Sequence, residues 1–344
     1  MSDGLRAAVD VSRERFHLAV ELVVPPGETV VVMGPYGAGK TTLLHAIAGL
    51  IRTDPAAVVI DGVPAGDVRA RHVGLMFQEP SLFPHLSVLD NVAFGPRSRG
   101  QSVAASRRTA MEWLVRFELD QFASRMPRSL SGGQGQRVAL ARALAAEPRV
   151  MLLDEPLASV DLPARADVRH ALAQHLRTFA GPVVLVTHDL LDAFVFGDRV
   201  AVLADGRIAE EGRPDLVASR PRSDFAAGLA QLNLLRGVAE GQTVRTADGR
   251  RVVGTATVYG PAAAVFAPAA VAVYAERPSG SPRNVWPACV ARVEPRGATV
   301  RVVTDDVPPL AADVTPGAAA ALGLRPNLHV WISVKATQVD IYAT

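Results

Sequence analysis

The sequence predicts an α/β domain built on a largely parallel sheet, followed by a smaller all-β domain. Up to about residue 225, short continuous apolar runs alternate with segments of helical apolar spacing, as in parallel sheets covered by helices. A glycine-rich loop joins one of these runs directly to a helix. From Asn233 onward, helical spacing nearly disappears and short alternating runs rich in Val, Thr, Gly and Pro replace it. We therefore expect domains at residues 1–225 and 226–344.

The elements of the first domain follow in a regular order. Residues 18–33 are predicted to form two strands separated by Pro25, Pro26 and Gly27, and residues 41–51 a helix. Residues 87–145 are predicted to be largely helical. Further strands are expected within 56–62, 72–80, 149–156 and 182–189, and a hairpin within 198–212.

Composition limits the classes of function. The 344-residue chain has a net charge of +2 without clustered Lys and Arg, so no nucleic-acid partner is predicted. A single cysteine, Cys289, rules out an internal disulfide and favours a reducing compartment. The N-terminus lacks the apolar core of a signal peptide, and no apolar run reaches the roughly 18 residues that span a bilayer. We expect a soluble protein that can sit on a membrane partner.

The stretch GPYGAGKTT, residues 34–42, fits the phosphate-loop pattern G-x-x-x-x-G-K-[ST]. It stands between a predicted strand and a predicted helix, the context that this motif requires, whereas an ordinary glycine turn needs neither. Backbone N–H groups of such a loop surround a phosphate at the positive end of the helix, Lys40 reaches the β- and γ-phosphates, and Thr41 ligates Mg²⁺. The predicted phosphate-binding residues are Gly34, Pro35, Tyr36, Gly37, Ala38, Gly39, Lys40, Thr41 and Thr42.

Polar side chains end three other apolar runs of this domain. Asp154 and Glu155 follow VMLL, at the strand end where open α/β sheets bind ligands. Asp154 suits the Mg²⁺ shell, and Glu155 suits orienting and deprotonating an attacking water, although a solvated acidic turn would explain this pair alone. His188 and Gln78 end two further runs. Each is by default a structural or surface residue and gains its functional interpretation from the shared sheet edge, where His188 suits a γ-phosphate oxygen.

A second anion site is predicted in LSGGQGQRVALARAL, residues 130–144. Ser131 and two glycines open a helix, whose first N–H groups and positive end attract anions. A plain helix N-cap is the alternative, and elementary physics alone favours it. One nucleotide loop and one separate anion-binding helix start suggest a sandwich of two chains.

The order and spacing of GPYGAGKTT, FQEP, LSGGQ, VMLLDEP, SVD and VTHD resemble those of ATP-binding cassette (ABC) ATPases. The resemblance covers residues 1 to about 225, and LSGGQ is highly specific to that family. It implies a P-loop NTPase fold, ATP and Mg²⁺ as ligands, Mg²⁺ contacts from Thr41, Gln78 and Asp154, and catalytic roles for Glu155, His188 and Gln78. It also implies a Walker A loop (Lys40, Thr41), a Walker B motif (Asp154, Glu155), a Q-loop (Gln78), a D-loop (Asp161), a switch histidine (His188), and a signature motif (Ser131, Gly132, Gly133, Gln134) that completes the partner's ATP site.

Two further segments resemble importer ATPases. SLFPHLSVLDNVAFG is similar to the helical subdomain of importer cassettes, here about residues 79–140, which with the Q-loop grips a coupling helix of the membrane channel. The C-terminal part resembles the OB-like barrel, of the TOBE/Mop type, of molybdate importers, through SPRN at 281–284 and LGLRPNLHVWISVKA at 322–336. Tetrahedral molybdate needs N–H, hydroxyl and cationic donors, for which the candidates are Ser281, Arg283, Asn284 and Lys335. A barrel that only dimerises is the alternative, and it stays open.

The resemblance implies a homodimeric, ATP-hydrolysing subunit of a molybdate importer at the cytoplasmic face of the plasma membrane. Its implied partners are integral membrane permease subunits and, indirectly, an extracytoplasmic molybdate-binding protein. A sulfate, iron or other solute importer has the same architecture, because cargo selection lies in the binding protein and the channel. A soluble, non-transport ABC ATPase is a further alternative, and an intracellular oxyanion sensor that gates the ATPase is another interpretation of the barrel.

Three positions depart from the family pattern: Tyr36 replaces a usual Ser or Asn, Val160 replaces the usual Leu of the D-loop, and Gly135 replaces a usual Arg or Lys. Only backbone is needed to hold phosphates at position 36, so we expect the Tyr36 ring to point away from them. We hypothesise that it packs near residues 159–161 of a partner chain.

The aromatic residue that normally stacks on adenine is also displaced. The family places it about two dozen residues before the Walker A loop, where this chain has Arg13 and Glu14. Phe16 is the nearest candidate.

Overall fold

The computed structural model describes residues 4–13, 16–54, 56–66, 68 and 71–344. The chain forms two compact units, residues 1–215 and 216–344. The strands of the first unit are β1 Leu5–Arg13, β2 Phe16–Val24, β3 Thr29–Met33, β4 Val58–Ile60, β5 Val63–Pro64, β6 Val73–Met76, β7 Val150–Asp154, β8 Val183–Val186, β9 Arg199–Ala204 and β10 Arg207–Gly212. Its helices are α1 Lys40–Ala48, α2 Val88–Ser98, α3 Val103–Arg116, α4 Gly132–Ala145, α5 Leu162–Thr178 and α6 Leu190–Phe196, and α7 Pro214–Ser219 follows.

A six-stranded sheet in the order β10-β9-β3-β8-β7-β6 forms the centre of the first unit. The neighbours from β9 to β6 run parallel, and only β10 is antiparallel, as the second strand of a hairpin with β9. Every residue of β3, β7 and β8 is buried, because these continuous Val and Leu runs are covered on both faces. The predicted parallel sheet and the hairpin are therefore confirmed.

A second, antiparallel sheet in the order β2-β1-β4-β5 packs against the same core. Its strand β1 was not predicted, although the alternation of apolar and mostly polar residues from Leu5 to Ser12 is the pattern of a strand with one buried face. Leu5, Ala7, Val9 and Val11 point inward with period two and are buried with α1 and the central sheet.

The predicted helical segment contains three helices, α2, α3 and α4, which begin at the N-caps Ser87, Ser102 and Ser131. The loop before α2 is fixed by Asn91, a fully buried residue of that helix. Its Oδ1 accepts from the Phe83 N–H at 2.8 Å, and its Nδ2 donates to three loop carbonyls. Helices α5 and α6 were not predicted, because their buried faces are short and interrupted by charged residues.

The second unit is built almost entirely of strands, as predicted. They are β11 Asn233–Thr246, β12 Arg251–Phe266, β13 Ala272–Tyr274, β14 Asn284–Arg296, β15 Thr299–Thr304, β16 Ala311–Val314, β17 His329–Val334 and β18 Asp340–Ala343, with the short helices α8 Asp224–Leu229 and α9 Pro316–Ala321. Two antiparallel sheets, β11-β12-β18 and β13-β17-β14-β15-β16, enclose one apolar core. Within the described parts of the chain, no helix has the length and apolar character needed to cross a membrane.

Candidate active site

The predicted site residues lie at the carboxyl ends of four adjacent strands. Strands β3, β8, β7 and β6 are consecutive neighbours in the central sheet and run parallel. Lys40 follows β3 through the glycine loop, His188 follows β8, Glu155 follows β7 and Gln78 follows β6. Residues up to 148 positions apart in the chain, from Lys40 to His188, therefore meet at one edge of the sheet.

Two glycines of the loop are required by close contacts. A Cβ at Gly34 would lie 2.1 Å from the backbone oxygen of Leu203, which no side chain tolerates. Gly39 has a φ of +103° and would place a Cβ 2.7 Å from the Phe16 ring. The backbone of the loop is thus pressed against the sheet at its start and against Phe16 at its end.

The Lys40 ammonium group is held inside its own loop. Its Nζ donates to the carbonyl oxygens of Gly34 and Pro35, each at 2.8 Å. Burial lowers the pKa of Lys40 below its usual value, while the nearby carboxylates of Glu155 and Asp154 act in the opposite direction. From this position the Lys40 ammonium group can turn from the loop carbonyls to an anionic ligand.

A hydrogen bond joins the exposed Thr41 to the buried Asp154. The Thr41 hydroxyl donates to Asp154 Oδ2 at 2.8 Å, and Asp154 is only 2% exposed. Burial raises the pKa of Asp154, the adjacent Glu155 raises it further, and the Thr41 hydrogen bond lowers it.

The donor set fits a divalent cation such as Mg²⁺. The Thr41 hydroxyl and a carboxylate oxygen of Asp154 lie together, and a cation would neutralise the negative charge of this buried carboxylate. Among the described residues, no group of three or more His, Cys, Asp or Glu side chains could hold a metal. A cation at Thr41 and Asp154 would thus take its remaining ligands from water, from an amide such as that of Gln78, or from phosphate.

Glu155 lies between the two other predicted catalytic side chains. Its Oε1 is 3.4 Å from His188 Nδ1, and its Oε2 is 3.5 Å from Gln78 Nε2. The side chain is 11% exposed, and the backbone has a φ of +48°, a conformation that costs free energy outside glycine. Three hydrogen bonds hold this backbone. Its N–H donates to the Val186 carbonyl at 2.9 Å, and its carbonyl accepts from the Ala158 N–H at 3.1 Å and from Gln136 Nε2 at 3.2 Å.

Gln136 was missed in the sequence analysis. It is fully buried, and its Oε1 has no hydrogen-bond partner among the described residues. The available signal was its position, because Gln136 shares a helical face with Leu140 and Ala143 in a predicted helix. A polar residue on a buried helix face indicates a specific partner.

A second set of residues that the sequence analysis missed holds the chain on both sides of His188. Arg169 donates to Asp192 at 2.7 Å and to Asp189 at 3.0 Å, and the Thr187 hydroxyl donates to Asp192 at 3.0 Å. Burial raises the pKa of Asp192, and the Arg169 contact lowers it. This network fixes the residues on both sides of His188.

The signature residues lie next to the D-loop of the same chain. Ser131 and Gln134 form a reciprocal capping box at the start of α4. A Cβ at Gly133 would lie 3.0 Å from the Ser159 carbonyl and 3.4 Å from Asp161 Oδ1. Across the described residues, no hydrogen bond joins 131–134 to 34–42, and space around Gly132 is open. The structure therefore brings the signature to the D-loop and not to the phosphate loop of its own chain.

The departures from the family pattern are placed as follows. Tyr36 is 90% exposed, with its ring centroid 5.9 Å from Lys40 Nζ. Val160 is 2% exposed, so only Ser159 and Asp161 of that segment face solvent and stay available for the hypothesised contact with a partner's Tyr36. Phe16 is partly buried beside Gly39.

The two residues at the usual position of the adenine-stacking aromatic cannot be placed in the same way. Glu14 lies outside the described residues, and the Arg13 side chain is not among those described.

Three of the candidate oxyanion residues, Arg283, Asn284 and Lys335, lie at one end of the β14-β17 pair in the second unit. Asn284 is opposite Val334, which brings Arg283 and Lys335 to neighbouring positions. Ser281, Arg283 and Lys335 are exposed. Asn284 is fully buried, and its amide accepts from the Val253 N–H at 2.7 Å and donates to the Val253 carbonyl at 2.9 Å. Its amide thus pairs with a strand backbone.

The raised pKa of Asp154 generates a prediction about stability. Folding opposes ionisation of this group, so its charge destabilises the metal-free fold above its unfolded pKa, and the penalty disappears as pH falls and the group is protonated. Asp154→Asn should therefore melt at a higher temperature than the wild type at pH 7 in EDTA, with a difference that shrinks towards pH 4. Thermal unfolding followed by fluorescence at several pH values measures it. A variant that melts below the wild type at pH 7 would contradict the assignment.

The chain matches two known protein families. The ABC transporter family matches residues 18–158, and the TOBE domain family matches residues 280–341. The molybdenum import ATP-binding protein of Mycobacterium tuberculosis is 48% identical over 98% of this chain and 96% of its own length. The sulfate/thiosulfate import ATP-binding protein of Burkholderia mallei is 41% identical over 82% of each chain.

A solved structure extends the likeness to three dimensions. The dimeric structure of a bacterial ABC transporter cassette is 33% identical, with a TM-score of 0.56, and covers 61% of this chain and 98% of that chain. The chain therefore belongs to the ABC transporter ATP-binding proteins and carries a TOBE domain near its C-terminal end.

Proposed function

We propose that this chain hydrolyses ATP as the ATP-binding subunit of an importer, with molybdate as the cargo, and that it works as a homodimer. The observation that carries the proposal is the position of the Glu155 carboxylate, between His188 and Gln78 and at the same sheet edge as the Lys40 loop. A base, two polar orienting groups and a phosphate loop together are the parts that phosphoryl transfer to water requires.

In the proposed mechanism, the loop and Lys40 bind the phosphates. The N–H groups at the start of α1 would face the phosphates at the positive end of the helix. Lys40 moves from the Gly34 and Pro35 carbonyls to the β- and γ-phosphate oxygens, a small displacement because the loop itself surrounds the ligand. Thr41, Asp154 and Gln78 would hold Mg²⁺, which would neutralise phosphate charge when bound.

Glu155 then acts as the general base. Its carboxylate takes the proton of the attacking water, and Gln78 and His188 limit its rotation from either side. The His188 side chain is 57% exposed, so it can reach a γ-phosphate oxygen as a hydrogen-bond donor. The low exposure of Glu155 reduces screening by solvent water, which strengthens each of these interactions.

The remaining ligands of the γ-phosphate come from the partner chain. The N-terminus of α4 is an anion site, and the open surroundings of Gly132 allow a phosphate to approach it. No hydrogen bond within the described part of the chain connects this helix start to its own phosphate loop, so a second copy is the natural source of the phosphate. The dimer of the related bacterial cassette supports this arrangement. Hydrolysis would remove the phosphate bridge and allow the dimer to reopen.

The proposed membrane partner docks beside the Q-loop. A groove of about 390 Å³ runs between the central sheet and the helical segment, and an adjoining one measures about 720 Å³. Leu50, Val68 and Phe94 are exposed along its walls. Apolar side chains around an open groove fit an amphipathic helix, here the coupling helix of a permease. The chain would then sit peripherally at the cytoplasmic face of the membrane, with its cargo delivered by an extracytoplasmic binding protein.

Molybdate is preferred over other cargoes on sequence similarity. The molybdenum protein matches nearly the whole chain at higher identity than the sulfate protein does over four fifths of it. A sulfate or iron importer remains the alternative, and a non-transport ABC ATPase is less favoured because the chain carries a C-terminal TOBE domain.

A second candidate function belongs to the C-terminal unit, as an oxyanion sensor. The proposal is supported by the β14-β17 register, because the exposed cations Arg283 and Lys335 directly precede and follow the paired residues Asn284 and Val334, with the Ser281 hydroxyl nearby in sequence. Two like charges side by side favour a divalent anion between them. Asn284 would serve the site through the backbone that it fixes.

The ATPase proposal is tested by Glu155→Gln. This change preserves shape but removes the base, so turnover should fall by about 10²-fold or more, while ATP still binds and drives dimer formation. Phosphate release and size-exclusion chromatography with ATP and Mg²⁺ measure the two effects. Lys40→Ala, which removes a phosphate ligand, should lose both turnover and dimer formation. A Glu155→Gln protein with normal turnover would refute the base assignment.

The sensor proposal is tested by calorimetry on the full chain. Molybdate and tungstate should bind, sulfate should bind more weakly, and the double change Arg283→Gln with Lys335→Gln should weaken molybdate by about tenfold or more. The matched control is Arg245→Gln with Arg251→Gln, a cross-strand pair of exposed cations on β11 and β12. Equal loss in both double variants would show a charge effect without a site, and no molybdate binding by the wild type would leave the unit without a sensor role.

A further inference from the structure

Arg142 on α4 holds the loop that carries Gln78. Its Nη1 donates to the Ser81 carbonyl at 2.9 Å, and its Nη2 donates to the Pro80 carbonyl at 3.1 Å. The guanidinium also lies 5.2 Å from the centre of the Phe83 ring. One side chain of the signature helix therefore contacts three of the four residues from 80 to 83.

The loop has a conformation that needs such support. Ser81 has a φ of +42°, which costs free energy in a residue other than glycine. Gly135, seven residues earlier on α4, leaves little more room beside the loop than a methyl group needs, because a Cβ added there would lie 3.5 Å from Pro80 Cγ. At its far end the loop is fixed by the buried Asn91, which bonds Phe83. The loop segment 80–83 is thus fastened at both ends, and α4 provides the attachment nearest to Gln78.

The same helix also fixes Glu155. Gln136 of α4 donates to the Glu155 carbonyl at 3.2 Å. Helix α4 consequently carries two attachments, one to the backbone of the proposed base and one to the loop of Gln78. Gln78 and Glu155 belong to the two segments attached in this way, and their side chains are 3.5 Å apart.

We propose that Arg142 is a positioning residue that ties the Gln78 loop to α4 and thereby sets the separation of Gln78 from Glu155 and from the bound cation. The inference rests on the proposed ATPase function and extends it to the groove, because Arg142 also lines the surface assigned to the permease. The Arg142 hydrogen bonds set the position of residues 80–83 before a partner binds. A partner that displaces these residues would therefore move Gln78 away from a defined position.

Arg142→Met tests the proposal, since it keeps the length of the side chain and removes both N–H donors. Hydrogen exchange of the amides in 78–83 should become about tenfold faster in the nucleotide-free protein. The Mg²⁺ concentration for half-maximal ATPase activity should rise by about tenfold, as for loss of a supporting contact behind a ligand. The KM for ATP at saturating Mg²⁺ should change less than about twofold, because the Lys40 loop is untouched. Arg142→Lys, which keeps the charge and one donor to a carbonyl, should recover part of both effects.

The matched control is Arg137→Met. Arg137 lies on the same helix and donates to the Phe117 carbonyl at 3.1 Å, so it makes the same kind of bond to a different element. It should lower the melting temperature to a similar degree and leave both the exchange of 78–83 and the Mg²⁺ requirement unchanged. Unchanged loop exchange in Arg142→Met, or an equal shift of the Mg²⁺ requirement in Arg137→Met, would overturn the positioning role. A wild-type protein without ATPase activity would instead contradict the proposed function, and the exchange measurement would still decide the role of Arg142 in the loop.

Discussion

The whole site depends on the parallel pairing of four strands. Parallel neighbours must be joined by crossovers, so β3, β8, β7 and β6 collect residues that are far apart in the chain. Because these strands run in one direction, the groups that follow them emerge at the same edge of the sheet. Full burial of β3, β7 and β8 makes their register hard to change, since a slip would carry side chains out of a packed core. The positions of Lys40, Glu155, Gln78 and His188 are therefore consequences of core packing.

The site itself is locally unfavourable, and the surrounding structure compensates. Asp154 is a buried carboxylate whose pKa is raised by burial, and Glu155 has a positive φ directly beside it. Gln136 and the strand β8 hold the Glu155 backbone, while Thr41 donates to Asp154. Two neighbouring carboxylates in a poorly solvated position repel each other, which destabilises the ligand-free protein and favours the binding of cations. This is the arrangement expected where a phosphate-bound divalent cation is the ligand.

The predictability of each part followed the range of its interactions. The parallel strands and the phosphate loop were predictable, because continuous apolar runs and the G-x-x-x-x-G-K-[ST] pattern are local signals. Strand β1 has an equally local signal, an alternation of buried and exposed residues, and was overlooked in spite of it. Gln136 donates to a backbone carbonyl 19 residues away, and Arg142 donates to two that are 61 and 62 residues away. No local sequence pattern predicts such partners. Asn284 shows the same limit, since its partner Val253 is 31 residues distant.

The most direct test of the account is subunit mixing, because the central claim is that each ATP lies between two copies of this chain. Lys40→Ala and Ser131→Arg proteins should each be inactive as homodimers, since every site then lacks a phosphate ligand or is blocked at the signature helix. In a mixed dimer, one site combines both lesions and the other is intact. Equal mixing should therefore restore ATPase activity to about a quarter of the wild-type rate, given random pairing. Failure of the mixture to exceed the sum of the two separate proteins, or full activity of Ser131→Arg alone, would contradict the shared site.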